Sequence, residues 1–159
     1  MGIDRACGAL KSVLSNRGLG IKTKKFLYEG VIVPTALYGA EAWSMRSAAR
    51  RKMNVLEMKF LRSLVGVSIM DRVRNEEVRR RAGIERELAS RADQRVLRWF
   101  WHVERMRWFL ARRVLMAEIS GGRVRGRPRL GWMDGVKVAL GNKGATVEAA
   151  RQCAKDRKA

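Results

Sequence analysis

Apolar residues recur at three- and four-residue steps along most of this chain and rarely alternate one by one, so the pattern predicts helices and no sheet. A loose stripe of Ile3, Leu10, Val13 and Leu14 ends in the glycine-broken "SNRGLG". From Lys22 to about Gly39, "KTKKFLYEGVIVPTALYG" holds Phe26, Leu27, Val31 and Leu37 on a broad apolar face. Pro34 lacks an N–H and crowds the preceding turn, so it should kink or divide that helix. Ser44 is placed to cap a helix running to about Val65, with Met53, Leu56, Phe60 and Leu64 facing inward and Gly66 as its stop. Asn75 is placed to cap "NEEVRRRAG", whose glutamates sit at the positive end of the helix dipole and whose arginines sit at the negative end. After Ser90, a long helix over about 91–118 sets Val96, Phe100, Val103, Arg107 and Leu110 on one side, with arginine and tryptophan on the other. Between it and two short helices at 130–140 and 146–158, the latter capped by Thr146, lies "SGGRVRGRPR" at 120–129, which must be a loop. The expected fold class is all-α, in two small helical lobes spanning 1–66 and 67–159.

Charge changes this picture from a generic helical chain to one with a polyanionic partner. Lys and Arg number 35 against 15 Asp and Glu, a formal net charge of +20, and 25 of the cations are arginine. Arginine's planar fork suits phosphate, and self-repulsion of this size calls for an anion to offset it, so RNA or DNA is the expected partner. The alternatives are a merely solvated basic surface, or basic faces that pair with an acidic partner.

With 47% hydrophobic residues the chain can build a core, so it is not a disordered tail. No run of eighteen apolar residues is present, so no membrane partner is expected, and the start "MGIDRA" supports neither a signal peptide nor a lipid anchor. Two cysteines, Cys7 and Cys153, and one histidine cannot make a disulfide framework or a zinc site at this spacing. A reducing compartment, nuclear or cytoplasmic, is expected, with no metal and no cofactor.

Five stretches occur in an order that resembles a family: "SNRGLGIKTKKFLYEGVIVPTALYGAEAW" at 15–43, "LEMKFLRSLVGVSIMDRVRNEEVRRRAG" at 56–83, "LRWFWHVERM" at 97–106, "GRPRLGWMDGVK" at 126–137 and "AKDR" at 154–157. Together they look like the region after the polymerase palm in non-LTR, LINE-type retrotransposon reverse transcriptases. The chain departs from that family's pattern at Trp101, where glycine is common, and at Gly131, where a charged residue is more usual. The resemblance implies a thumb-like helical region in the first lobe, gripping template and primer, and a basic helical extension in the second. It also implies that the missing palm and fingers are partners. The adjacent aspartates that hold a polymerase's two metal ions have no counterpart here, since the nearest acidic pair, Glu76–Glu77, sits in a helix cap. The chain is therefore expected to be non-catalytic on its own.

The candidate phosphate contacts are Arg123, Arg125, Arg127 and Arg129 in the loop, Lys22, Lys24 and Lys25, Arg79 and Arg80, and Arg95 and Arg98. Arg79, Arg80 and Arg81 equally suit a solvated helix end that complements the dipole. The loop's Gly-Arg-Pro core also resembles the minor-groove AT-hook, and reads otherwise as a non-specific basic loop or a solvated turn. Trp99, Trp101 and Trp108 are candidates for base stacking or for filling a core or an interface with a missing domain. His102, alone on an aromatic helix, is expected to be a packed or hydrogen-bonded residue rather than a catalyst. Two function classes remain: a nucleic-acid-binding fragment of a retroelement polymerase, or a decayed or domesticated remnant whose Trp-rich face packs on protein.

Overall fold

The structure, a computed structural model, describes residues 8–10, 13, 16, 18–106, 110–117 and 131–156. Helix α1 (Ile21–Leu27) continues through a π-helical turn (Tyr28–Ile32) into α2 (Val33–Ala36), and a 3-10 turn comes next at Ala40–Ala42. Then come α3 (Ser47–Val65), α4 (Asn75–Ala82), α5 (Leu88–Arg105), α6 (Leu110–Met116), α7 (Trp132–Gly141) and α8 (Val147–Asp156). No strand occurs among the described residues, and the fold is all-α.

The chain divides into two compact units, one of residues 1–38 and 47–91 and one of residues 39–46 and 92–159. The boundary thus falls at Arg91 rather than at the glycine-marked stop near residue 66. The reason is packing: α4 lies against α3, and the carboxylate of Glu57 on α3 accepts the backbone N–H of Leu88 at 3.1 Å, which ties the start of α5 to the same unit.

In the first unit, Tyr28, Ile32, Ala36 and Leu37 are buried, as are Met53, Phe60, Leu61 and Leu64 of α3, all at most 8% exposed, and the rings of Tyr28 and Phe60 meet. Val78 and Ala82 of α4, with Ile84 and Leu88, are buried in the same unit, α4 lying against α3. This differs from the expected apolar face. Phe26 is 75% exposed and Val31 points outward, because the buried line runs through Tyr28 and Ile32 instead. The π turn accounts for the part after Tyr28: the N–H of Val33 reaches back to the carbonyl of Tyr28, five residues away, and rotates the rest of the helix by one position. Pro34 sits at the first positions of α2 just after this widened turn, where its missing N–H does least harm.

Tyr28 wins the interior because its hydroxyl has an acceptor there. It donates to Glu57 Oε1 at 2.7 Å, and its ring lies 5.3 Å from that of Phe60. Burial, followed by the adjacent Glu57 charge and this hydrogen bond, pushes the phenol far above its ordinary titration range. Glu57 itself has no side-chain exposure and also takes Arg79 Nη2 at 2.6 Å. One carboxylate therefore accepts from a hydroxyl, from Nη2 of a guanidinium whose Nη1 stays buried without a partner, and from the first amide of α5, where its charge also complements the helix dipole.

Two expected caps are replaced. Helix α3 starts at Ser47, not after Ser44, whose neighbourhood is extended. Arg74 is the N-cap of α4, and Asn75 instead accepts a hydrogen bond from Arg62 Nη2 at 2.8 Å. The glycine stops hold: Gly66 and Gly83 adopt φ of 78° and 65°, and the N–H groups of Gly83 and Ile84 close back on Arg80 and Arg79. Lys25 Nζ donates to the Gly83 carbonyl exposed by that turn.

Arg91 forks onto both oxygens of Glu29. This hydrogen bonding, joined by the Arg91 charge, holds the Glu29 carboxyl below its ordinary range. A depressed folded-state value means that the pair stabilises the fold above the unfolded carboxyl's value of about 4.3 and loses that effect as pH falls through the lower folded value. Glu29→Gln should therefore melt below the parent at pH near 7. That gap should shrink as both are acidified below about pH 4; an equal gap at neutral and acid pH would refute the pair's role.

In the second unit, Val96, Leu97 and Phe100 of α5 pack with Val136, Ala139 and Leu140 of α7 and Ala150 of α8. Thr146 caps α8 as expected, its hydroxyl accepting the N–H of Ala149 at 3.2 Å. The single helix expected over 91–118 is instead α5, which begins three residues earlier, and a separate α6, and Leu110 is 67% exposed rather than on the core side.

Candidate functional site

Helix α5 has two faces in the second unit. Val96, Leu97, Phe100 and Val103 turn inward, which sends Arg95, Trp99 and His102, and alongside them Arg98 and Arg105, to the opposite side, along lines of three- and four-residue steps that meet at His102. These five residues and Glu41 line an open hollow of about 740 Å³. Trp99 is 41% exposed in it, and its indole lies 5.4 Å from the imidazole of His102 at a tilt of 37°.

Glu41 reaches the hollow because α7 fixes its backbone. Gly39, at φ 67°, turns the chain into the 3-10 turn that carries Glu41. Trp132 Nε1 then donates to the Glu41 carbonyl at 2.7 Å, while its rings pack 6.4 Å from Phe100. Three residues on, Gly135 lets the extended segment after Glu41 lie directly on α7: a Cβ there would sit 2.9 Å from Ser44 Cα and 3.2 Å from the Trp43 carbonyl oxygen. Asp134 accepts the N–H of Gly131 at 3.0 Å and fixes the start of the same helix. The residues "GWMDG" thus hold in place the segment that carries Glu41, among the described residues the one lining the hollow that does not come from α5. Gly135→Ala should destabilise this unit by about 1–3 kcal/mol, because backbone rather than a flexible side chain must give way; chemical denaturation that matches the parent would disprove the close contact.

The hollow carries three guanidinium groups against one carboxylate. Arg95 Nη1 lies 3.6 Å from Glu41 Oε1, with both side chains about two-fifths exposed, so the pair orients Arg95 more than it stabilises the fold. Arg98 and Arg105, two turns apart, stand on the exposed part of the helix. The arrangement offers flat cations for an anion and a flat ring for an apolar plane, and it holds no nucleophile with a partner base.

Of the expected contact residues, the structure brings together Arg95, Arg98 and Trp99. Lys22 belongs to the first unit and is exposed there. Lys24 is only 7% exposed and Lys25 is engaged with Gly83, so neither is presented to a partner as expected. Arg79 is likewise withdrawn: its side chain is 11% exposed and spent on Glu57. Arg80 remains at the surface but clamps Glu77 together with Arg81, and their hydrogen bonds hold the Glu77 carboxyl down to about 2. Trp101 packs against the core of the second unit with its Nε1 enclosed, so it serves packing rather than stacking. His102, expected to be packed, is exposed in the hollow. Arg123, Arg125, Arg127, Arg129 and Trp108 lie outside the described residues.

Comparison with protein-family models, curated proteins and solved structures finds no match for this chain. Among the described residues no helix is long and apolar enough to cross a membrane, and no group of three or more His, Cys, Asp or Glu gathers where a metal ion could sit.

The sequence reading missed Glu41 and Arg105. Arg105 had a signal, since it continues the step through Arg95, Arg98 and His102. Glu41 had none, because only the packing of Trp132 and Gly135 brings its turn to α5.

Proposed function

We propose that this chain is a non-catalytic nucleic-acid-binding protein that grips RNA or DNA through backbone phosphates, in the manner expected of the post-palm region of a LINE-type reverse transcriptase. The observation that carries this reading is the convergence of Arg95, Arg98 and Arg105 with a half-exposed tryptophan in one hollow, on a chain of net charge +20. Phosphate contacts position a strand without reading its bases, and guanidinium groups are the side chains best shaped for them. Exposed cations elsewhere, Lys22 among them, extend the positive field that would draw a polyanion in.

The test is equilibrium binding of the purified chain to a labelled mixed-sequence RNA and to a duplex DNA at low salt. Binding of both with little sequence preference is expected. A chain that leaves both free at about 50 mM salt, where non-specific phosphate contacts are strong, would overturn the reading.

A further inference from the structure

Resting on that reading, we propose that the hollow along α5 receives an unpaired nucleotide of a single strand, its base laid on Trp99 and the phosphates on either side held by Arg98 and Arg105. The exposed indole is the first reason. Phe100 is wholly buried and Trp101 packs on the core, so the helix has put its other aromatic residues to structural use. Trp99 keeps 41% of its surface open, beside His102, and the two rings make a platform within a ring of charge. Stacking needs a free base face. Bases inside a duplex have both faces covered by their neighbours, whereas every unpaired base offers one.

Spacing is the second reason. Arg98 and Arg105 are seven residues apart on one helix, a rise of about 10 Å, and they bracket Trp99 and His102 along the axis. An extended strand can therefore lay a base between two held phosphates. The third reason is the distribution of charge. Glu41 partly neutralises Arg95 at one end of the hollow and repels phosphate there, so the anionic backbone is steered toward Arg98 and Arg105. A volume of about 740 Å³ lies within the range of small-molecule sites and is enough for one nucleotide.

The experiment is fluorescence anisotropy on the full chain with a short mixed-sequence single strand and with the blunt duplex of the same sequence. Trp99→Ala should weaken single-strand binding about 5- to 150-fold, the range for losing one stacked base, and change duplex binding less than twofold. Trp99→Phe, which keeps a ring, should retain most of the affinity. Arg98→Ala with Arg105→Ala should weaken the single strand more than the duplex, since the duplex can shift to other cations. If the parent chain binds both ligands and Trp99→Ala changes neither, or weakens both equally, the proposal fails while nucleic-acid binding stands. If the parent binds neither ligand, the binding reading itself has failed. If polyglutamate displaces the single strand from the parent as well as a polynucleotide of equal charge does, the hollow takes an acidic peptide and the proposal is overturned.

Discussion

Replacing Glu57 by alanine should cost the first unit about 3–5 kcal/mol, the range for removing one partner of a buried ion pair. The magnitude reflects the groups left behind. Arg79, with its side chain 11% exposed, would lose the carboxylate 2.6 Å away and keep only the weaker pull of Glu87 on its charge. The Tyr28 hydroxyl, in a residue with no exposure, would lose its acceptor, and the first N–H of α5 would lose the oxygens 3.1 Å away. Each buried group so orphaned adds its own desolvation penalty of about 1–3 kcal/mol, though these overlap with the ion-pair figure and do not simply add. A fold of this size is stable by only about 5–15 kcal/mol, so the variant should be partly unfolded near 37 °C. Glu57→Gln keeps the shape and two acceptor lone pairs, and should lose less. A Glu57→Ala chain whose urea midpoint equals the parent's would mean that the cluster is idle. The double variant Glu57→Leu with Arg79→Leu should recover part of the loss, because no uncompensated charge then remains buried.

That cluster marks the limit of what the pattern of residues could disclose. Helices were legible wherever propensity, spacing and a glycine stop agreed, as at Met53 to Leu64 before Gly66, and at Gly83 after α4. Which face of a helix is buried was not always legible. Phe26 and Val31 are as apolar as Tyr28 and Ile32, and the choice between them is made by the π turn and by an acceptor on α3, neither of which leaves a local trace. A glutamate at position 57, four residues after Met53 and on the inward stripe, was the available sign that the core contains charge. Caps misled for a related reason: Asn75 has the right chemistry, but Arg62 claims its side chain first. In the candidate site, the arginine and tryptophan stripe on α5 could be read from spacing alone. The place of Glu41 could not, since it depends on a tryptophan hydrogen bond and a glycine contact from α7.

Salt should weaken binding to duplex DNA by roughly a thousandfold between about 50 and 200 mM, if the chain makes about six phosphate contacts. Each contact releases condensed counterions, so the logarithm of the binding constant falls with the logarithm of salt at a slope of about −0.9 per contact on B-DNA and about −0.7 on a single strand. The same six contacts on a single strand should thus lose only a few hundredfold, and this difference in slope separates the two ligands without any variant. Arg98 and Arg105 in the hollow and the exposed Lys22 are three of the cations available. The arginines at 123, 125, 127 and 129 belong to a stretch with no acidic residue, and they are the densest remaining source. Changing those four together to alanine should reduce the duplex slope by up to about 3.6, that is 0.9 for each phosphate no longer neutralised, and should weaken binding on every sequence tested. A response in which only AT-rich duplex is affected would identify a minor-groove hook instead. A flat salt dependence for the parent chain would remove phosphate neutralisation as the source of affinity, and a charge of +20 would then no longer point to a nucleic-acid partner.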